Sequence, residues 1–551
     1  MRFSDVTEVA GVNYTHGNTV GKDLLQFGSG GVAAGDYDGD GWVDLFAVSG
    51  DISANRLFRN RGDGTFIEVG QEAGVAEAGR RSSGPTFADY DGDGRVDLFV
   101  GAVDNGSPKL FRNRGDGSFE LAGAASEVFP PSPYVSSTFG DYDGDGDLDL
   151  FTTRWGVITG IQTVDYLWRN NGDGTFSGAT LDAQLQFRAQ RLERLEIEWT
   201  LSANFADINN DGWVDLLLAS DFGTSQVFLN DQDGTFTDVT DAIITDENGM
   251  GTAIEDYDAD GDLDWFVTSI FDDRGAPTPD WGMTGNRLYR NRGDGTFEDA
   301  TGTAGVRDGN WGWASCFADF DNDGFLDLFH VNGWPLSSLF TDKPARLFMS
   351  NGDGMFSEQA EEAGIADRGF GVGIVCFDYD RDGDIDVFIA NNEGPSRLYR
   401  NDNDNGGRFL QVRLRGRSPN TQGIGARIYA TSSGSVTQMR ELRAGTNYVS
   451  QDPAEAHFGL GAAAVVDEIR VVWPDRFVWS ERNISADRML VVDRDPGDSN
   501  CDRRATAADL SRSASLVGVK APAACPFADS NGDGLVDTSD PIVTIGLLFK
   551  G

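Results

Sequence analysis

An acidic nine-residue pattern, Asp-x-Asp/Asn-x-Asp-Gly-x-x-Asp, recurs seven times within the first 390 residues, at intervals of 49 to 66. Its side-chain ligand positions are Asp36, Asp38, Asp40 and Asp44; Asp89, Asp91, Asp93 and Asp97; Asp141, Asp143, Asp145 and Asp149; and Asp207, Asn209, Asp211 and Asp215. The last three copies supply Asp256, Asp258, Asp260 and Asp264; Asp319, Asp321, Asp323 and Asp327; and Asp378, Asp380, Asp382 and Asp386. Three carboxylates two residues apart, with a fourth at position nine, can close oxygen ligands around one hard cation. Ca²⁺ takes six to eight such ligands at roughly 2.3–2.6 Å. The glycine at position six allows the sharp turn that brings them together. The pattern predicts about seven bound Ca²⁺, one per repeat.

Each repeat also carries four strand signals. A short apolar strand precedes the loop, as in Thr86-Phe87-Ala88, and a second follows it, as in Val96-Asp97-Leu98-Phe99-Val100. The third reads Arg56-Leu57-Phe58-Arg59-Asn60 or its equivalents down to Arg397-Leu398-Tyr399-Arg400-Asn401. A tight Asn/Gly/Asp turn, tolerant of positive φ, leads to the fourth, as in Thr65-Phe66-Ile67-Glu68-Val69. Four antiparallel strands at this period describe a propeller blade. The seventh repeat lacks its fourth strand, whereas Phe3-Ser4-Asp5-Val6-Thr7 with Ala10-Gly11-Val12 matches Phe297 to Thr301 with Ala304-Gly305-Val306. Residues 1–12 are therefore expected to complete blade seven and close the ring, since open sheet edges are avoided. The fold class predicted is all-β: a seven-bladed β-propeller over 1–405, a small β-domain over 406–494 and a short EF-like α tail over 497–551.

Charge narrows the partners. There are 89 Asp and Glu against 44 Lys and Arg, a net charge of −45. Seven divalent ions would offset 14 of those charges. The remainder disfavours nucleic acid, whose phosphates need clustered cations, and anionic membrane surfaces. No apolar run approaches the ~20 residues needed to insert in a bilayer. Met1-Arg2-Phe3-Ser4-Asp5 carries no apolar signal core. Loops of this exposed kind suit millimolar calcium, so a secreted or cell-surface location is expected, with the export signal outside this chain. Cys316 and Cys376 fall on inner strands and are expected as buried thiols, while Cys501 and Cys525 flank the tail loops and are placed to pair outside the cytosol.

Residues 1–405 resemble the FG-GAP/VCBS calcium propellers, the class that includes the integrin α-subunit head. Residues 406–494 resemble the ASPIC/UnbV domain through Gly423-Ile424-Gly425-Ala426-Arg427, His457-Phe458-Gly459-Leu460-Gly461 and Val472-Trp473-Pro474. Propeller plus this domain is the arrangement of the cartilage acidic protein family and its bacterial relatives. The resemblance implies secretion and calcium binding. Two further loops lie in the tail: Asp529, Asn531, Asp533, Asp537 and Asp540 form an EF-like copy. Asp498, Asn500, Asp502 and Asp509 form a weaker one in which Arg503 replaces the glycine. This pair is similar to a type I dockerin, which implies one or two more Ca²⁺ and a cohesin-like partner; Arg503 departs from that pattern.

Three Arg-Gly-Asp triplets, at Arg61, Arg114 and Arg292, occupy one recurring turn that elsewhere reads Asn171-Gly172-Asp173 or Asn351-Gly352-Asp353. The common element is Gly-Asp-Gly, a turn requirement. The informative departures are long insertions at 153–165, 177–201, 270–286 and 332–345, all on the face opposite the metal loops. They gather Trp155, Trp199, Trp281, Trp311, Trp313 and Trp334, rings suited to stacking on sugars or anchoring a protein. Leu181, Leu185, Leu192 and Leu195 have the spacing of a short amphipathic helix. Enzyme signals are thin: His16, His330 and His457 are scattered, and there is no zinc spacing, nucleophile elbow or phosphate loop. The expectation is a calcium-binding adhesion module for a glycan or an extracellular protein. Its rivals are a polysaccharide lyase or hydrolase using the elaborated face, and a structural component of an extracellular assembly.

Overall fold

The computed structural model describes residues 1–19, 28–104, 106–123, 127–158, 166–192, 195–272, 284–432, 434–445, 447–494, 519–520 and 535–536. The nine tail residues expected as ligands, Trp281, Cys501 and Cys525 lie outside them.

The repeats fold as a series of antiparallel sheets in the strand order of the sequence. In the first sheet Val32–Gly35 pairs with Asp44–Ala47, which pairs with Arg56–Asn60 and then Phe66–Glu68. The register sets Gly35 opposite Asp44 and Asn60 opposite Phe66, so each metal loop is the hairpin between strands one and two. Position six needs glycine: Gly41, Gly94, Gly146, Gly212, Gly261, Gly324 and Gly383 all have φ between 84° and 98°. The sheet holding the seventh loop contains Gly371–Phe377, Asp386–Asn391 and Arg397–Asn401, with Phe3–Asp5 as its outermost strand. There Phe3 lies opposite Asn401.

Hydrophobic burial lies between neighbouring sheets. Val48, Leu57 and Phe46 of the first sheet pack with Phe87, Leu98 and Phe111 of the second, all nearly or fully buried. The strand preceding each loop touches its counterpart in the next sheet, and Gly371–Phe377 touches Val32–Gly35.

Two expectations are corrected. Residues 181–198 form no amphipathic helix: Ala189–Leu192 and Leu195–Ala206 make a hairpin, with Leu192 opposite Leu195. The alternation in Glu196-Ile197-Glu198-Trp199-Thr200 favours a strand continuous with the first strand of the fourth sheet, and Trp155–Ile158 pairs on its other edge. Cys316 and Cys376 are not thiols. They form a disulfide between inner strands of adjacent sheets, with Cα atoms 6.6 Å apart.

Beyond Asn405 two further sheets enclose a core of Leu410, Val412, Ile428, Phe458, Ile469 and Val471. Segment 443–452 leaves this unit and crosses the inner edges of the repeat sheets. Gln451 exchanges backbone hydrogen bonds with Val32 and Ala34, and its side chain bonds both the N–H (2.6 Å) and the C=O (2.9 Å) of Phe87. Ala444 accepts from the Phe139 N–H at 2.8 Å, and Gly445 accepts from Asn204 at 3.1 Å. Arg443 pairs with Glu255 (2.8 Å), Tyr448 lies against Trp313 (5.3 Å between centroids), and Asn447 donates to the Ile374 carbonyl. One short segment thus touches all seven repeat sheets.

Candidate metal centres

The seven loops share one internal architecture. The position-six N–H donates to the position-one carboxylate at 2.8–3.1 Å in every copy. The position-two N–H donates to the position-nine carboxylate at 3.0–3.2 Å. That carboxylate's other oxygen takes the backbone N–H of the residue ending the third strand, at 2.7–2.8 Å. Ligand oxygens converge within 4.8 Å in the triads Asp36–Asp38–Asp40, Asp89–Asp91–Asp97, Asp141–Asp143–Asp149, Asp256–Asp258–Asp260 and Asp319–Asp321–Asp327.

Such crowding is costly without a counter-charge. Burial first, then neighbouring carboxylates, pushes the position-one groups up: to about 6 at Asp36 and Asp207, about 7 at Asp89, Asp141, Asp256 and Asp378, and about 8 at Asp319. Arg413 and Arg427 oppose the rise at Asp36 and Asp207. Burial holds the position-nine groups, including Asp44, Asp149 and Asp386, well above the usual carboxylate range. Meanwhile Asp36, Asp91, Asp258, Asp321 and Asp380 each bury an Oδ1 with no hydrogen-bond partner. Anchored outer oxygens and unpartnered inner ones, all from carboxylates, fit a hard divalent cation rather than a soft one.

Two residue sets were missing from the sequence-level site. The arginine at the fourth position of the third-strand motif reaches the loop. Arg112 bonds Asp91 Oδ2 (2.5 Å), Arg169 bonds Asp143 (2.9 Å), and Arg290 bonds Asp258 (2.6 Å) and Asp260 (2.9 Å). The asparagine after it spans two sheets. Asn113 Nδ2 donates to the Tyr37 carbonyl in the first loop, Asn170 to Tyr90, Asn230 to Tyr142 and Asn291 to Ile208. Asn401 donates to Phe320 and Asn60 to Tyr379, the last linking the first sheet to the seventh; these six bonds are 2.7–2.8 Å. The sixth sheet has Ser350 at this position. Recurrence of Arg-Asn was the available signal; what the pair bridges is not local in sequence.

The C-terminal unit also reaches the loops. Arg413 Nη1 bonds Asp36 Oδ2 (3.0 Å), Gln411 donates to Asp378 (2.8 Å), Thr421 to Asp89, and Arg427 lies 3.5 Å from Asp207.

Three of the tryptophans expected on a binding face are buried. Trp311, Trp313 and Trp334 are only 5%, 5% and 6% exposed. Trp311 and Trp334 stack at 4.6 Å, with Phe340 and Phe370 against them. Trp155 donates to Asp221 (2.7 Å) and packs edge-on to Trp199, itself against Phe222. Trp311 and Trp313 sit at the start of strand Gly312–Ala318, and burial with Trp334 leaves these three no open face for a sugar.

Comparison with known proteins now adds family. The FG-GAP-like repeat model matches residues 36–100, 89–152, 207–267, 273–330 and 378–429, more than half of the chain. The chain belongs to the FG-GAP-like repeat proteins. An ASPIC and UnbV domain matches residues 416–499. Cartilage acidic protein 1 of Xenopus tropicalis is 32% identical over 126 residues, 22% of this FG-GAP-like chain and 19% of the frog protein. That of Mus musculus is 23% identical over 483 residues, 81% of this chain and 70% of the mouse protein. That of Homo sapiens is 26% identical over 276 residues, 47% and 39% of the two chains.

Among solved structures, an Agrocybe aegerita lectin that recognises non-reducing terminal N-acetylglucosamine is similar at TM-score 0.38 and 20% identity, over 60% of this chain and 79% of the lectin. The rhamnogalacturonan lyase YesW is similar at 0.34 and 15%, over 68% and 72%. YCF48 bound to D1 peptide is similar at 0.38 and 9%, over 68% and 94%. Among the described residues no helix is long and apolar enough to cross a membrane.

Proposed function

We propose that this chain is an exported, calcium-stabilised seven-bladed propeller that works as an extracellular binding or adhesion module. Residues 1–405 are the ring, residues 406–494 a cap seated on its metal face, and the tail loops of 497–551 a further calcium-binding element. The observation that carries the reading is the repeated loop, whose outer carboxylate oxygens are fixed by backbone N–H groups while buried inner ones stay unpartnered. Contacts of segment 443–452 with all seven sheets support a closed ring. A disulfide joining two sheets supports an oxidising compartment, as does relatedness to proteins named for cartilage.

The ions in this reading are structural. Each ties strand one to strand two and removes mutual repulsion among buried carboxylates, so folding and metal binding are linked. Elemental analysis of protein exchanged into calcium should return about seven ions from the ring. Chelation should lower the melting temperature steeply, since each site held at 100-fold above its Kd contributes about 2.7 kcal/mol. Protein that retains its melting temperature in chelator and yields no metal would refute the reading.

A further inference from the structure

A crevice of about 970 Å³ separates the loops of the third and fourth repeats from the C-terminal unit. Asp141, Asp145, Asp207 and Asp211 line one wall. At the first, second, fourth and seventh loops a C-terminal side chain seats against the position-one carboxylate. At the third, Asp141 takes, among the described residues, the N–H groups of its own Gly144 (2.9 Å) and Gly146 (3.0 Å). Here the C-terminal unit brings Pro419 close to Gly146 but no polar side chain onto Asp141 among the described residues, and the crevice opens beside this contact.

The opposite wall is cationic. Arg470 and Arg476 line it, both are exposed, and neither has a carboxylate within ion-pair distance among the described residues. In a chain with twice as many acids as bases, two arginines sharing a crevice without acidic partners are against expectation. Arg470 is held flat, its guanidinium 3.9 Å from the centre of the Tyr429 ring. Arg476 has φ 65°, and its guanidinium lies beside Gly212 and donates to the Asp211 carbonyl at 3.5 Å. Between them in sequence, Trp473 also lines the crevice; it is 3% exposed and its Nε1–H has no acceptor.

We propose that this crevice binds an acidic oligosaccharide, a proposal that rests on the binding-module reading above. Guanidinium forks pair bidentately with carboxylates, so a uronate carboxylate belongs on Arg470 and Arg476. The facing wall also offers neutral acceptors, the Gln232 side-chain carbonyl and the Asp211 backbone carbonyl, and sugar hydroxyls supply the donors. The volume lies within the range of built ligand sites. A sugar acid carries both chemistries on one ring, which neither a neutral sugar nor a free inorganic anion does.

The test is calorimetric titration of the full chain in calcium with trigalacturonate, galacturonate, maltotriose and a hexaglutamate peptide. Trigalacturonate should bind most tightly. Exchange of both arginines, Arg470→Ala with Arg476→Ala, should weaken it about 10-fold or more, with melting temperature and calcium content unchanged. The Lys pair should recover part of the loss. Trigalacturonate that fails to bind, binds the double variant equally, or is matched by maltotriose or by the peptide overturns the proposal. The metal and melting measurements judge the module reading separately, because they do not depend on either arginine.

Discussion

At the scale of single residues, Asn113 shows how metal site and sheet junction are joined. Its N–H holds Asp97, and its side chain reaches across to the Tyr37 carbonyl and back to the Val96 carbonyl. Asn113→Ala removes three bonds at this junction, the third being the Gly115 N–H that its Oδ1 accepts, and should cost about 1–3 kcal/mol in urea unfolding. Ser350→Asn should restore the equivalent clamp toward Tyr257 and gain up to about 1.5 kcal/mol by the same measurement. Glu198 offers a pH test away from the loops. Burial raises its carboxyl to about 7, against hydrogen bonds from Tyr166 (3.0 Å) and the Thr200 N–H (2.7 Å) that favour the charge. The unfolded chain ionises near the ordinary value, so this group withdraws stability as pH rises from about 4.5 to about 7. Glu198→Gln should match the wild type near pH 4.5 and exceed it by roughly 2–3 kcal/mol near pH 7.5 in paired melts. The aspartates of the loops were legible in sequence because ligand spacing is local. The asparagine clamp was visible as a recurrence but not as a function, since its acceptor lies in another repeat.

At the scale of elements, seating of the C-terminal unit on the loops turns on Glu455. Burial alone would raise its carboxyl, yet Arg413 and Arg381 hold it down at about 2. Arg381 donates to both of its oxygens (2.8 and 3.0 Å) and Arg413 Nε to one (2.8 Å). Glu455→Gln leaves two largely buried guanidiniums short of their counter-ion and should cost about 3–5 kcal/mol at neutral pH. The native contribution is complete above the unfolded value and fades as pH falls toward 2, so the variant and wild type should converge in acid melts. Strands with strict alternation, such as Leu410 to Leu414, were readable. The hairpin at 189–206 was not, because leucines at 181, 185, 192 and 195 carry a helical period that pairing with Trp155–Ile158 overrides. Nor was the Cys316–Cys376 bridge, since sequence shows two inner strands but not their separation across a sheet junction.

At the scale of the molecule, the repeats and their four-stranded antiparallel sheets were legible, and the role of segment 443–452 was not. Nothing in Ala444-Gly445 or Tyr448 to Gln451 announces a segment that contacts all seven sheets. A chain ending at residue 405 should therefore melt well below the full chain. Loss of Tyr448 from Trp313 should red-shift tryptophan emission and admit an apolar dye.

The partnership of Phe3–Asp5 with Arg397–Asn401 sets a schedule for the nascent polypeptide. Strand Phe3–Asp5 waits for its neighbour until nearly four hundred further residues have been made, and Gln451 arrives later still. Local hairpins around the aspartates can mature one by one in the meantime. Final docking of the sheets on one another, drawing on contacts far apart along the chain, becomes the slow step.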